Sequence, residues 1–508
     1  MAQAACSVGV DLGTTDLKVI AFADDGRIVA RQDARLDMLH GAPGAAEQDP
    51  QAVYATVTTT FADAVHQAQS LGYSVARVGV SAAMHSLLAV GADDQPLTRA
   101  LTWMDTRAAT QAEALWASPQ GPALYARTGT PIHAMSPLAK LLWLRQTQPE
   151  IHQQATRFVS LKEWLWHGWF GEWQVDESIA SATGLYQLAT RQWDAEALAL
   201  AGITPARLST LVPTTTTRAG LREPRLLAAG LMPTTQFTIA ASDGVLANLA
   251  VGALDADRMA LTIGTSVAAR VGVAAPTTNQ ATRMFCYALA EGRFVAGAAS
   301  NSGGGVLDWL AHRALAGPGD IGALIAAAER ANIGDLLCLP YIAGERAPLW
   351  DAHAQGVFFG MTTQTDAVAL MRAAIEGIVY NAYWMASDLF PVVGKPSALL
   401  ASGKLLESSW IRQLVADLFA LPVILPEGAD ASAVGAVTLA NIAAGVWSWE
   451  DAQQRAAAQQ TTAPTGSGVR AHHGTVTTPR PEAHERAQAS YARFRRLSDT
   501  LQASMGAA

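Results

Sequence analysis

The chain has 508 residues, half of them hydrophobic and 15% charged, with a formal net charge of -8. That length exceeds one ordinary core and predicts two domains plus an appendage, while an acidic balance without any Lys/Arg block excludes a nucleic-acid surface. Three cysteines without CxxC spacing point to a reduced, cytoplasmic setting, and the lack of a basic n-region or of an apolar run near ~20 residues predicts neither signal peptide nor membrane span.

The first predicted element is a hairpin. Val8-Gly9-Val10-Asp11-Leu12 runs into Gly13-Thr14-Thr15, and Leu17–Ala23 returns. Glycine lets the backbone approach a ligand closely, and neighbouring N–H groups and hydroxyls at such a tip form an anion-binding concavity. Asp11 cannot meet phosphate directly, but its carboxylate can hold a hydrated Mg²⁺ that bridges phosphates; the plainer alternative is an aspartate capping its own turn. The turn Asp24-Asp25-Gly26 leads into a further strand, and Asp49-Pro50 reads as N-cap plus first-turn proline of a helix to about Gln69. Ala76–Ser81 is a short apolar strand that delivers Met84-His85 at its C-terminal end, the end that faces ligand in open α/β sheets.

Trp103-Met104-Asp105-Thr106-Arg107 follows another strand-like segment. His, Asp and Arg there can hydrogen-bond polyol hydroxyls while Trp covers an apolar sugar face; a salt-bridged surface loop with a satisfied histidine is the bland alternative. Ser136–Gln146 reads as a helix, and the aromatic run from Ile151 to Trp173 reads as core. A strand Thr238–Ala241 ends at Ser242-Asp243-Gly244, before a helix Val245–Val251. Asp243 can take a proton from a substrate hydroxyl during phosphoryl transfer, or simply cap that helix.

A second hairpin follows at Ala260-Leu261-Thr262-Ile263-Gly264-Thr265-Ser266, returning over Val267–Val273. Two such tips predict two related domains closing on one polyphosphate, hence ATP in an interdomain cleft. Beyond it, Gly303-Gly304-Gly305 precedes a helix Val306–Ala314, and Asp366–Leu389 and Trp410–Phe419 are helices. Pro422–Leu425 is a strand, residues 460–480 an exposed loop, and 482–504 a terminal helix. Beyond the hairpins no repeat is evident. Neither a P-loop, a protein-kinase HRD/DFG pair nor an HExxH helix is present, and Gly264-Thr265-Ser266-Val267-Ala268 has alanine where the hydrolase elbow needs glycine.

These residues resemble the FGGY family of carbohydrate kinases, within the actin-like ATPases, over about residues 6–445. Met135-x-Pro137-x-x-Lys140-Leu141-x-Trp143-Leu144 is similar to one family signature. Gly356-Val357-Phe358-Phe359-Gly360-Met361 with Arg372-Ala373-Ala374-Ile375-Glu376-Gly377 is similar to the other. Within the family the chain is most similar to gluconokinases, through Met84-His85-Ser86-Leu87, Arg127–His133, Ser178–Leu185, Ala241–Leu246 and Gly344-Glu345-Arg346-Ala347-Pro348-Leu349-Trp350. Xylulokinases share the Met-His pair and the Trp-x-Asp-x-Arg loop.

The resemblance implies an α/β fold of two actin-like (ribonuclease H-like) domains with a catalytic cleft between them. Residues 4–243 would form the sugar side, 244–449 the nucleotide side and 450–508 a loop and helical tail. It implies Asp243 as general base and Met84, His85, Trp103, Asp105 and Arg107 on the sugar. Asp11, Gly13, Thr14, Thr15, Gly264 and Thr265 would face Mg²⁺ and the ATP phosphates. Gly403 would belong to the adenosine loop, where Lys404 stands in place of the usual second glycine, either crowding the adenine or pointing outward as a cation near the nucleotide. The expected substrate is a small sugar acid or polyol, and for an acid Arg107 and His133 are the candidate partners of its carboxylate. A kinase for xylulose or another polyol, and a non-catalytic ligand sensor that kept the fold, are the alternatives. The sequence leaves a homodimer open.

Overall fold

The computed structural model describes residues 4–315, 320–426, 430–458, 460 and 474–505. The first hairpin forms where expected. Ala4–Leu12 pairs antiparallel with Asp16–Ala23, which pairs in turn with Ile28–Arg35. Tyr73–Ala82 lies parallel on the other flank of Ala4–Leu12, followed by Gln236–Thr238 in parallel and Thr217–Arg218 antiparallel. In the second half Arg258–Ile263 pairs antiparallel with Val267–Val273, and that strand with Arg293–Ser300. Ala398–Ser402 and Val423–Leu425 then follow in parallel, and Thr475–Thr477 closes antiparallel.

The two sheets therefore share one strand order and one set of directions, with Phe285–Ala290 as an extra edge strand on the second. The likeness of two hairpin tips extends over six strands per half. This is the expected α/β pair of actin-like, ribonuclease H-like domains.

Local signals set most helices. Asp49 caps Pro50–Ser70 by accepting the N–H groups of Gln51 and Ala52, and Ser136 caps Pro137–Thr147 through Ala139. In the aromatic run, Trp166 and Trp169 are fully buried, with Phe61 and Phe237 packed on Trp169. The strand expected at Thr238–Ala241 instead ends at Thr238, because Ala240 has a φ of 54° and leaves the extended region. Ser242 nevertheless bridges to Ala82, which carries the next residue to the end of the sheet.

The halves meet along a seam of backbone. Helix Ala431–Ala443, from the second half, lies on the first sheet. A Cβ on Gly9 would sit 2.5 Å from the Ala433 carbonyl oxygen, and one on Gly79 only 2.1 Å from that of Ala436. Side-chain-free strand positions are what let helix and sheet approach so closely. At that helix's start, the buried carboxylate of Asp430 accepts from Lys18 at 2.7 Å and from Arg31, both on the first sheet.

Residues after 449 form more than a loop and tail. Within the expected 460–480 loop, residues 461–473 lie outside the described residues, whereas Thr475–Thr477 joins the second sheet. Helix Pro481–Met505 docks through buried Phe494, through Tyr491 against Tyr383, and through Arg495 over the Trp384 ring at 3.5 Å. No helix among the described residues is long and apolar enough to cross a membrane.

Candidate active site

Both hairpin tips are braced from outside. At the first, a Cβ on Gly13 would lie 2.6 Å from the Asp16 carbonyl oxygen, so the tight return requires glycine. Gln48 donates to the Thr14 carbonyl at 2.9 Å, and the Trp103 indole N–H donates to Thr14 Oγ1 at 2.9 Å. The predicted phosphate tip and the predicted sugar loop thus touch. Thr15 is exposed beside them.

At the second tip, the Gly264 and Thr265 carbonyls accept from the N–H groups of Gly304 and Gly305 at 2.7 and 3.1 Å. Gly403, at φ 93°, presses on the same turn, where a Cβ would lie 2.5 Å from the Ile263 oxygen. Three glycine segments are thereby stacked, while Thr265 and Lys404 remain exposed.

Two carboxylates, Asp11 and Asp243, lie close enough to feel each other's charge. Asp11 is inside its strand rather than at the turn, paired in register with Lys18 and Ser81; its Oδ1 accepts the Ser81 hydroxyl at 2.8 Å. It therefore does not cap its own turn. Asp243 opens helix Asp243–Val251 and accepts the Gly244 N–H at 2.6 Å, Ser242 being the residue before the helix. The Ser242 and Ser178 hydroxyls bond at 3.0 Å, and buried Lys162 donates to Asp176 at 2.8 Å and to the Ala241 carbonyl at 3.1 Å, which fixes the backbone leading into Asp243.

Burial pushes Asp11 up to about 6, and the negative charge of Asp243 pushes in the same direction. Burial also raises Asp243, against the pull of Arg270 and Lys162. The Arg270 guanidinium lies over Gly244, 3.2 Å from where a Cβ would be, and donates to Thr262 Oγ1 at 3.3 Å. An aspartate made more basic by burial, beside a cation, is suited to accept a proton from an alcohol.

Among the residues predicted to meet the sugar, His85 has a φ of 70° and bonds through Nδ1 to the Ala182 carbonyl at 2.7 Å, with Nε2 3.5 Å from the Tyr287 hydroxyl. Burial and the nearby Lys140 hold it down at about 3, so it is neutral and Nε2 is an acceptor. His133 is neutral for the same reason, also at about 3, and its Nδ1 accepts the Met135 N–H at 3.2 Å. Lys140 is fully buried and donates to the backbone carbonyls of His85, Leu101 and Thr102, at 2.6, 3.3 and 2.7 Å, tying both sugar loops together. A narrow pocket opens among Gly13, Thr14, Gln48, Met84, Ser86 and Trp103.

Matching models span most of the chain: the N-terminal domain of the FGGY family of carbohydrate kinases over residues 6–250, and its C-terminal domain over 259–444. The chain belongs to the FGGY family of carbohydrate kinases. A gluconokinase of Bacillus licheniformis is 38% identical over 86% of this chain and 87% of its own. A xylulose kinase of Escherichia coli (strain K12) is 31% identical over 86% and 90%. A crystal structure of gluconate kinase from Lactobacillus acidophilus matches with a TM-score of 0.89 at 30% identity, covering 99% of both chains.

In this kinase, membership of the family implies use of ATP. Of the expected site residues, Gly13, Thr14, Met84 and Trp103 line the narrow pocket described above, and Asp11 lies within electrostatic reach of Asp243. Asp105 and Arg107 stand differently. The Arg107 guanidinium is bonded to both oxygens of Asp105 and to Glu47, and lies 4.5 Å over Trp143; Asp105 is itself buried and also accepts from the Ala46 N–H. That pair is an internal brace of the loop, in which Asp105 and Glu47 already neutralise Arg107. Sequence reasoning missed Arg270, Tyr287 and Arg346. The one signal for Arg270 was a lone charge in the otherwise apolar strand Val267–Val273.

Proposed function

We propose that this kinase transfers the γ-phosphoryl group of ATP to the terminal hydroxyl of D-gluconate, giving 6-phosphogluconate and ADP. What chiefly supports the reading is Asp243: a half-buried, raised carboxylate where the halves join, within electrostatic reach of Asp11 and Arg270, in a chain similar to gluconokinases. Asp243 takes the hydroxyl proton as the oxygen attacks, and the proton later passes to solvent. With the Gly13 and Gly264 N–H groups closing their own turns on the Asp16 and Ser266 carbonyls, the N–H groups and hydroxyls of Thr14, Thr15 and Thr265 receive the phosphate oxygens, and Gly403 supports the nucleotide from behind the second tip. Lys404, exposed at that edge, has the charge to meet nucleotide phosphates.

The donor set fits Mg²⁺ in one way only. Among the described residues no cluster of three ligating side chains exists, but Asp11 keeps one carboxylate oxygen clear of its Ser81 bond, which suits an ion held through water and phosphate. When bound, Mg²⁺ supplies charge neutralisation on the phosphates. Closure of the halves, which we place at 4–243 and 244–449, keeps water from the transferring group.

A second reading, phosphorylation of D-xylulose, is favoured by the 31% likeness to a xylulose kinase. ADP release measured with gluconate, xylulose, ribulose, glycerol and erythritol separates the two; turnover on another member of the set with none on gluconate overturns the proposal.

A further inference from the structure

The second half contributes a buried guanidinium, Arg346, that feels the charge of Glu345 but is hydrogen-bonded to no carboxylate. Arg346 nevertheless reaches residues of the first half: its Cζ lies 5.0 Å over the Trp103 ring, and Nη1 is 3.9 Å from the Met135 sulfur. It is 8% exposed. Its firm bonds go to neutral acceptors, Nε to Asn301 Oδ1 at 2.8 Å and Nη2 to the Ser300 carbonyl at 3.2 Å.

The adjacent Glu345 does not pair with that side chain. Its carboxylate accepts from the Ser300 and Ser302 hydroxyls, from Asn381 and from the backbone N–H groups of Asn301 and Arg346. By contrast Arg107, Arg127 and Arg191 each bond a carboxylate directly. Leaving a buried cation unpaired is costly, and a guanidinium has five N–H donors in a fork that matches a carboxylate. Three of the five are used, on Asn301, Ser300 and, weakly, the Met135 sulfur, so one hydrogen on each Nη nitrogen remains for an anion.

We propose that Arg346 receives the carboxylate of a sugar-acid substrate and thereby selects acids over neutral polyols. This rests on the reading of the substrate as a sugar acid. There is a second arginine without a hydrogen-bonded acid, Arg270, but it stands beside Asp243 and Gly244, where the hydroxyl and the phosphoryl group meet. Arg346 stands instead with Trp103, Met135 and His133. In the proposed binding mode an aldonic acid with its terminal hydroxyl at Asp243 turns its carboxylate to that group. His133, being neutral, adds at most an Nε2–H donor there. Because Arg346 and Trp103 come from different halves, the same carboxylate ties the halves together when bound.

The test compares the parent with Arg346→Met and Arg346→Lys, using kcat/KM on gluconate and on a neutral substrate of the same enzyme. Calorimetric titrations with a panel of aldonic acids and their reduced polyols run alongside. The loss of charge-assisted bonds predicts a fall of about 10- to 100-fold in the acid-to-neutral ratio for Arg346→Met, carried by KM, with partial recovery in Arg346→Lys. ATP affinity and melting temperature report that the variants are folded. If gluconate is turned over and the variants lose acid and neutral substrates equally, the inference fails while the proposed reaction stands. If gluconate is inert but another aldonic acid binds the parent and not Arg346→Met, the reaction fails and the inference stands. If no acid binds the parent, both fail.

Discussion

Replacing Asp11 by Asn should stabilise this kinase while disabling it. In the folded chain the carboxyl is pushed from 3.8 to about 6 by burial and by Asp243, so folding favours its protonated form. The sign follows: this group's contribution is most favourable below pH 3.8 and is lost as pH rises through about 6. That separation corresponds to about 3 kcal/mol at neutral pH, an upper figure because relaxation and water soften the repulsion. Asn keeps an oxygen for the Ser81 hydroxyl and removes the charge. The assay is denaturant or thermal unfolding of parent and variant from pH 4 to 8. Their difference is the quantity read, because Glu163, also raised to about 7 by burial, titrates in both. The expected result is equal stability near pH 4, an advantage of up to about 3 kcal/mol for the variant at pH 7.5, and ADP release reduced by about 100-fold or more. A variant no more stable than its parent at pH 7.5 would refute the electrostatic reasoning.

Asp243→Asn should lower kcat by about 10²- to 10⁴-fold with ATP affinity nearly unchanged; near-normal turnover in a steady-state assay removes Asp243 as the base. Lys140→Met strips a donor from the His85, Leu101 and Thr102 carbonyls. Each orphaned acceptor costs about 1–3 kcal/mol, so unfolding should come markedly earlier and the sugar KM should rise more than that for ATP. An unshifted melt counts against the role of that lysine as the tie between the loops. Gly79→Ala places a methyl 2.1 Å from the Ala436 oxygen, and overpacking there should cost about 1–3 kcal/mol or more in urea titrations; a neutral substitution means that the seam yields easily.

Much of this arrangement was legible because it is local. Asp49-Pro50 and Ser136-Pro137 mark helix starts through their own side chains, and the Gly-Thr tips announce their turns within a few residues. The repeat of whole sheets was not legible. It resides in pairings such as Arg258–Ile263 with Ala398–Ser402, between strands more than a hundred residues apart whose side chains need share only burial. Spacing placed Arg107 near the substrate but could not show that Asp105 and Glu47 neutralise it. Nor could it show that Glu345, next to Arg346, turns its carboxylate to Ser300 and Ser302 instead, since that depends on a bond geometry set by three separate segments.

The contact of helix Ala431–Ala443 with Gly9 and Gly79 has a consequence for motion. Main chain resting on main chain is the least compressible part of the boundary, so any swing of one half on the other would pivot there. A point close to a pivot sweeps a short arc and a distant rim sweeps a long one. Gly9 lies two residues from Asp11 in the same strand, and Gly435 on that helix abuts the Leu246 carbonyl three residues beyond Asp243. The acid pair is thus mounted at the axle. An opening about that seam would displace the outer rim while leaving Asp11 and Asp243 nearly at rest.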